Sequence, residues 1–217
     1  MVHIPDGILP ASVCVGGYAV TGLATWYSLR QISRQKDPTQ DIPKAALMTA
    51  AFFVASSVSI PIPPASVHFI LNGLMGTVLG YYTFPAMLVG LFFQAVMIGH
   101  GGLTTLGVNA AMMGIPALLA YHFFRSRYRL VNHPNARWAI SFFGFLAGAI
   151  GLGLAAGIFY VLVVLTIPSG FDLATERAAI TGLTLAHLPL MIIEGVFTAM
   201  LMLFLWRVKP DLLERRG

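Results

Sequence analysis

No Asp, Glu, Lys or Arg occurs between Lys44 and Arg125, and apart from Glu194 the remaining charges are confined to short segments beside or between long apolar stretches. That segregation limits the fold more than any other feature of the chain. About 20 consecutive apolar residues are what an α-helix needs to cross the hydrocarbon of a bilayer. Inside hydrocarbon the backbone must satisfy its own hydrogen bonds, which helices do within one segment. Apolar residues make up 57% of the 217 and charged residues only 10%, with a mean hydropathy of +0.80. A soluble domain carries about 25% charged residues, so this chain cannot cover itself in water. The length suits one membrane domain, residues 1–217, with no room for a separate soluble catalytic module. The net charge of +5 does not indicate nucleic acid, because the basic residues lie between apolar spans and form no patch. The single cysteine, Cys14, cannot form an internal disulfide and reads as a small buried apolar residue. No basic region and cleavage site mark a signal peptide.

The expected fold is all-α and polytopic. Seven spans of roughly bilayer length are expected, at residues 9–30, 44–60, 67–81, 85–99, 104–124, 137–167 and 178–206, with a turn at Thr83–Pro85 between the third and fourth. The third and fourth are short, so they can also be tilted, re-entrant or merged. Twelve of the 13 Lys and Arg residues fall in loops of one parity or the tail, and only Arg177 falls in the other. The positive-inside rule then puts the N-terminus outside and the C-terminus in the cytoplasm.

This topology sorts the histidines. His122 and His133 go to the cytoplasmic side, whereas His3, His68 and His100 meet at the outer face and His187 lies in the outer third of the last span. Glu194, two turns deeper, is the only acid well inside a span. Ionisable groups within a membrane are functional by default, although helix–helix hydrogen bonding explains His187 or Glu194 equally well. The opening Met1-Val2-His3 adds a second feature. A free amine, deprotonated backbone amides and an early imidazole form a metal claw, and planar nitrogen coordination suits Ni(II) or Cu(II). With Met1 retained the peptide supplies all four corners of a square. With Met1 removed, Val2 becomes the amine donor and three nitrogens leave one corner for another ligand.

Four stretches, HIPDGILP, SVHFILNGLMGTVLG, GHGGLTTLGVNAAMMG and AHLPLMIIEGVFTAMLMLFLWRVKP, together resemble the CbiM/NikM family. These are the substrate-specific membrane subunits of energy-coupling-factor (ECF) importers for cobalt and nickel. The resemblance runs from His3 to Leu212. It implies a seven-helix fold whose N-terminus is inserted into the outer side of the bundle. It also implies Ni(II) or Co(II) as transported substrate, held by the terminal amine, the adjacent histidine and the histidine of the SVH stretch, here His68. The family typically begins Met-His, so Val2 is a departure. The metal set is therefore Met1, Val2, His3 and His68, with His100, Asn109, His187 and Glu194 as supporting residues. Asp6-Gly7 reads as a turn folding the first residues back into the bundle, and Gly101-Gly102 as a tight turn. Gly144/Gly148 and Gly153/Gly157 have small-xxx-small spacing for packing inside the bundle.

No G-x-x-x-x-G-K-[ST] phosphate loop is present, so no ATP site is expected on this chain. The resemblance implies two ATPase subunits of CbiO/NikO type, a transmembrane coupling subunit of CbiQ/NikQ type and a small CbiN/NikN-type membrane subunit. It also implies residence in a bacterial or archaeal cytoplasmic (inner) membrane and a link to cobalamin biosynthesis. A retinal photoreceptor is excluded, because Lys209 lies beyond the last span. The alternative is an intramembrane metalloenzyme using the outer-face histidines; the transport reading makes the chain no enzyme.

Overall fold

A computed structural model describes residues 3–62, 65–167, 170, 172–210 and 213. Among them are eight α-helices: α1 (Ala11–Ile32), α2 (Ile42–Ser57), α3 (Asn72–Leu79), α4 (Thr83–Ile98), α5 (Leu106–Leu130), α6 (Arg137–Leu165), α7 (Leu173–Leu185) and α8 (His187–Val208). A small antiparallel hairpin, β1 (Ser59–Ile62) and β2 (Ala65–His68), follows α2 and pairs Ser59 with His68. The exterior is apolar, with Leu23, Trp26, Leu47, Met97, Trp138 and Met200 all more than half exposed, while Asn72, Gln94, Asn109 and Glu194 are buried. That inversion is what a lipid solvent demands. Four helical stretches are long and apolar enough to cross a membrane, namely 72–98, 106–130, 137–165 and 173–208, and α2 is a shorter apolar helix.

The expected third and fourth spans do not stand as two: they form one crossing-capable stretch, 72–98, the merged alternative, and its start is later than expected. Residues 65–68 form β2, and α3, all eight residues of it buried, is about 12 Å long. It cannot cross a bilayer alone. Thr83–Pro85 start α4 and do not form the expected turn, because proline is tolerated in a first helical turn. The break falls instead at Gly80, whose φ of 60° is open to glycine. The expected last span is also divided. Pro189 can neither donate to nor fit against the carbonyl of Leu185 four residues earlier, and α7 ends at that residue.

Small residues let α3 into the centre. A Cβ on Gly76 would overlap the carbonyl of Ala117 in α5, and one on Gly73 would overlap Ala147 of α6. Gly144 and Gly148 face α8 as the spacing predicts; at Gly148 a Cβ would stand 2.7 Å from the Glu194 carbonyl. The second pair divides: Gly153 meets the Met191 side chain, whereas Gly157 faces open space.

Leu71 is held at φ 52°, the left-handed region, immediately before α3. Glu194 of α8 accounts for it. Its carboxylate accepts from the Ile70 N–H at 2.6 Å and the Leu71 N–H at 3.2 Å, successive amides turned toward one anion. The strand carrying His68 is thereby tied to α8.

Gly76→Ala should destabilise the protein by about 2 kcal/mol, as overpacking does, whereas Gly157→Ala should be neutral or stabilising by about 0.5 kcal/mol. Thermal unfolding in detergent measures both, and equal effects would contradict the packing described.

Candidate metal centre

Residues 3–9 leave helical geometry at the edge of an apolar bundle, so each of their backbone groups needs a partner. Asn109 of α5 supplies two. Its Oδ1 accepts from the Ile4 N–H at 2.9 Å and its Nδ2 donates to the Ile4 carbonyl at 3.0 Å, the pairing a neighbouring strand would make. Thr105 Oγ1 donates to the same carbonyl at 2.7 Å. Asp6 then turns outward and accepts from the backbone N–H groups of Leu103, Thr104 and Thr105 and from the Thr104 hydroxyl. These amides precede α5, so Asp6 pins the loop that leads into that helix from about 100 residues away. Asp6-Gly7 is the expected turn, with Gly7 at φ 85°. Gly101 and Gly102 do more than turn. A Cβ on Gly101 would stand 3.0 Å from the Asn109 amide, and one on Gly102 would overlap the Asp6 carboxylate.

This clamp buries His3 to 4% exposure. Its ring lies parallel to that of His100 with centroids 6.3 Å apart, and His100 meets His68 edge-on at 5.3 Å. His68 ends β2 and is equally buried; His100 follows the left-handed Gly99 that closes α4. Nε2 of His3, Nδ1 of His68 and Nδ1 of His100 have no hydrogen-bond partner among the described residues. Three sequence-distant histidines therefore meet with nitrogens to spare. Among the described residues, no three His, Cys, Asp or Glu side chains are gathered closely enough to hold a metal by themselves. Met1 and Val2, the other expected donors, lie outside the described residues.

The supporting residues divide by role. Asn109 holds the segment that carries His3, and Glu194 holds the backbone just after His68. His187, first residue of α8, donates from Nδ1 to the Leu183 carbonyl at 2.8 Å and leaves a buried Nε2 unpartnered. It belongs to the same end of the bundle, since Glu194 lies two turns further along its helix. His122 stands elsewhere, against Tyr81 and Tyr121.

Gln94 did not stand out in the sequence, yet it is fully buried and its side chain is a polar neighbour of the His3 ring. Its amide donates to Ser56 Oγ, which in turn donates to the Phe52 carbonyl at 2.5 Å. Its Oε1 has no partner of standard geometry. A lone glutamine in an apolar span was the available signal.

Burial, reinforced by His100 and His68, pushes the His3 imidazole down to about 3. Burial and then His100 lower His68. Both rings are neutral at pH 7, the form that binds metal. The Thr104 hydroxyl, followed by backbone donors, lowers Asp6 although desolvation opposes it. For His3 the unfolded segment takes up a proton below about 6.5 and the docked one does not. Docking is therefore fully favoured above that pH and weakens between about 6.5 and about 3. Asp6, depressed, weakens it only as pH falls below the ordinary carboxylate range. Hydrogen exchange of residues 3–9 in the metal-free protein should accelerate between pH 7 and pH 5, beyond its intrinsic pH dependence, and His3→Gln should remove that excess slope. Asn109→Leu should expose the segment at all pH values.

The profile of the family described as "Cobalt uptake substrate-specific transmembrane region", CbiM, matches residues 3–212. A putative metal transport protein of Haemophilus influenzae is 32% identical over 99% of this chain and 98% of its own length. The cobalt transport protein CbiM of Sorangium cellulosum is 31% identical over 99% and 95%. A putative fused nickel transport protein NikMN of Archaeoglobus fulgidus is 29% identical and is covered over 69% of its length. A crystal structure of a transition metal transporter superposes with a TM-score of 0.78 at 24% identity, covering 95% of this chain and 93% of that one, which establishes the shared fold. The chain belongs to the CbiM family of cobalt-uptake transmembrane components.

Proposed function

We propose that this chain is the substrate-binding membrane subunit of an ECF-type ABC importer and captures Ni(II) or Co(II) at the outer face. The observation that carries the reading is the burial of His3 beside His100 and His68 by a clamp that holds the backbone at Ile4 inside the bundle. The terminal amine, backbone nitrogen and His3 imidazole supply a planar nitrogen set, and His68 completes or caps it according to whether Met1 is present. The names of the cobalt and nickel relatives support both metals as substrate. Glu194, the acid a metalloenzyme would use as its base, is occupied by two backbone amides, which favours carriage over catalysis.

Gln94 has a role in this scheme. A His3 ring that binds metal through Nδ1 carries its proton on Nε2, and that buried N–H needs an acceptor. Gln94 Oε1 is the unpartnered acceptor beside it, held in place through Ser56. Ordering of the tautomer by an outer partner is a general feature of histidine metal sites.

With no phosphate loop on the chain, ATP hydrolysis falls to two CbiO/NikO-type subunits. They act through a CbiQ/NikQ-type coupling protein, with a CbiN/NikN-type subunit alongside.

His3→Ala and His68→Ala should each lower Ni(II) or Co(II) affinity about 10–100-fold, and Gln94→Leu should fall in the same range while Gln94→Glu retains binding. His122→Ala should have no effect. N-terminal acetylation should abolish tight binding. Calorimetry on purified protein reads all of these; undiminished affinity in both histidine variants would remove the site. In a Cys14→Ala background, Asn132→Cys should be labelled only from the cytoplasm and Ala174→Cys only from outside.

A further inference from the structure

Toward the far end of α5 from His3, about 24–35 Å along the helix from Leu106, one face of the helix is polar and basic. His122, Arg125, Ser126 and Arg129 follow the i, i+3, i+4, i+7 spacing of a single stripe. With Tyr81 and Tyr128 they line a cavity of about 330 Å³, and among the described residues no carboxylate lines it. The site is built before any ligand arrives. Arg125 is fixed by the Tyr121 hydroxyl and lies over that ring, 5.3 Å from its centre. The Tyr128 hydroxyl donates to the Leu213 carbonyl at 2.8 Å, and Ser126 Oγ to the Phe123 carbonyl at 2.6 Å.

Two arginines four residues apart repel each other on a helix surface, and Arg127 lies between them in the same turn. Its guanidinium is buried between the Phe124 and Tyr128 rings and bonds the Phe124 and Leu213 carbonyls and the Tyr128 hydroxyl. Placement at the helix C-terminus offsets part of the repulsion. An anion between Arg125 and Arg129 would remove the rest. The apolar part of α5 ends at Phe124, immediately before Arg125, so the cavity lies at the end of the apolar run, where a helix of this kind meets headgroups.

We propose that this cavity binds a phosphate anion, supplied by the headgroup of an anionic phospholipid. Arginine forks match phosphate oxygens in pairs, and basic pockets between helices at a membrane surface are suited to such headgroups. This site is independent of the metal centre and of its ligand assignment.

The test is native mass spectrometry of the full chain offered equal amounts of phosphatidylglycerol and phosphatidylcholine. Wild-type protein should retain phosphatidylglycerol selectively, and Arg125→Gln/Arg129→Gln should lower that preference on the order of tenfold, from the gain expected per basic residue near an anionic surface. Arg34→Gln/Lys36→Gln, which removes the same charge from another loop, should leave it in place. Ser126→Asp sets a carboxylate between the arginines and should abolish the preference without loss of folding. A parallel arm measures thermal unfolding in inorganic phosphate against chloride at equal ionic strength. Stabilisation by phosphate in wild type and not in the arginine pair, without lipid preference, would support the same chemistry with free phosphate as source. An equal fall in the Arg34/Lys36 control, or no response to either probe, would overturn the proposal.

Discussion

Hydrocarbon offers a backbone no water, so any segment that leaves helical geometry inside the bundle must be satisfied by the protein. Among the described residues, the connection from α4 to α5 leaves it and carries His100, and segments 3–9 and 68–71 leave it and carry His3 and His68. Each is held by polar side chains that do little else. Asn109, Thr105 and Asp6 hold the first, and Glu194 holds the second. Remove those side chains and the irregular backbone has no reason to stay inside. The helices around it, packed on bare glycine at positions 73, 76 and 148, provide the rigid walls against which the clamps act.

The division of labour between α5 and α8 follows from this. α5 fastens the N-terminal segment through its first turn, and also fastens α1 through the Tyr18 hydroxyl on the Leu103 carbonyl and Thr21 on the Gly107 carbonyl at 2.6 Å. α8 fastens the hairpin side. His100, between the rings of His3 and His68, sits where the two halves meet. A substrate ion bridging His3 and His68 would therefore join two independently anchored parts of the fold.

Much of this was legible in the sequence, and the failures are physical. Charge parity and apolar runs separated His3, His68 and His100 from His122 and His133, because those signals are properties of composition along the chain. The hairpin was not legible. Pro61 in β1 and Pro64 beside it argue against strands, and the pairing of Ser59 with His68 depends on the tertiary walls around it. The division of the last span was readable from Pro189, but a proline in a first turn and a proline at a break look alike in sequence. Glu194 was visible as an odd carboxylate. Its partners, two backbone N–H groups presented by a left-handed leucine, leave no trace in residue identity. Gln94 was overlooked because it carries no charge, and charge was the feature that made Glu194 stand out.

The clamp on Ile4 also orders events in time. Its partner Asn109 lies 105 residues later, and the carboxylate that holds Ile70 lies 124 residues after it. At synthesis rates of about 5–20 residues per second, the opening histidine leaves the ribosome many seconds before the helix that receives it. The hairpin waits longer still, for the final helix. The segment that carries His3 is thus made well before the residue that holds it, and the three histidines come together only after α8 has followed. A truncated or stalled chain would carry the histidines without the arrangement that brings them together.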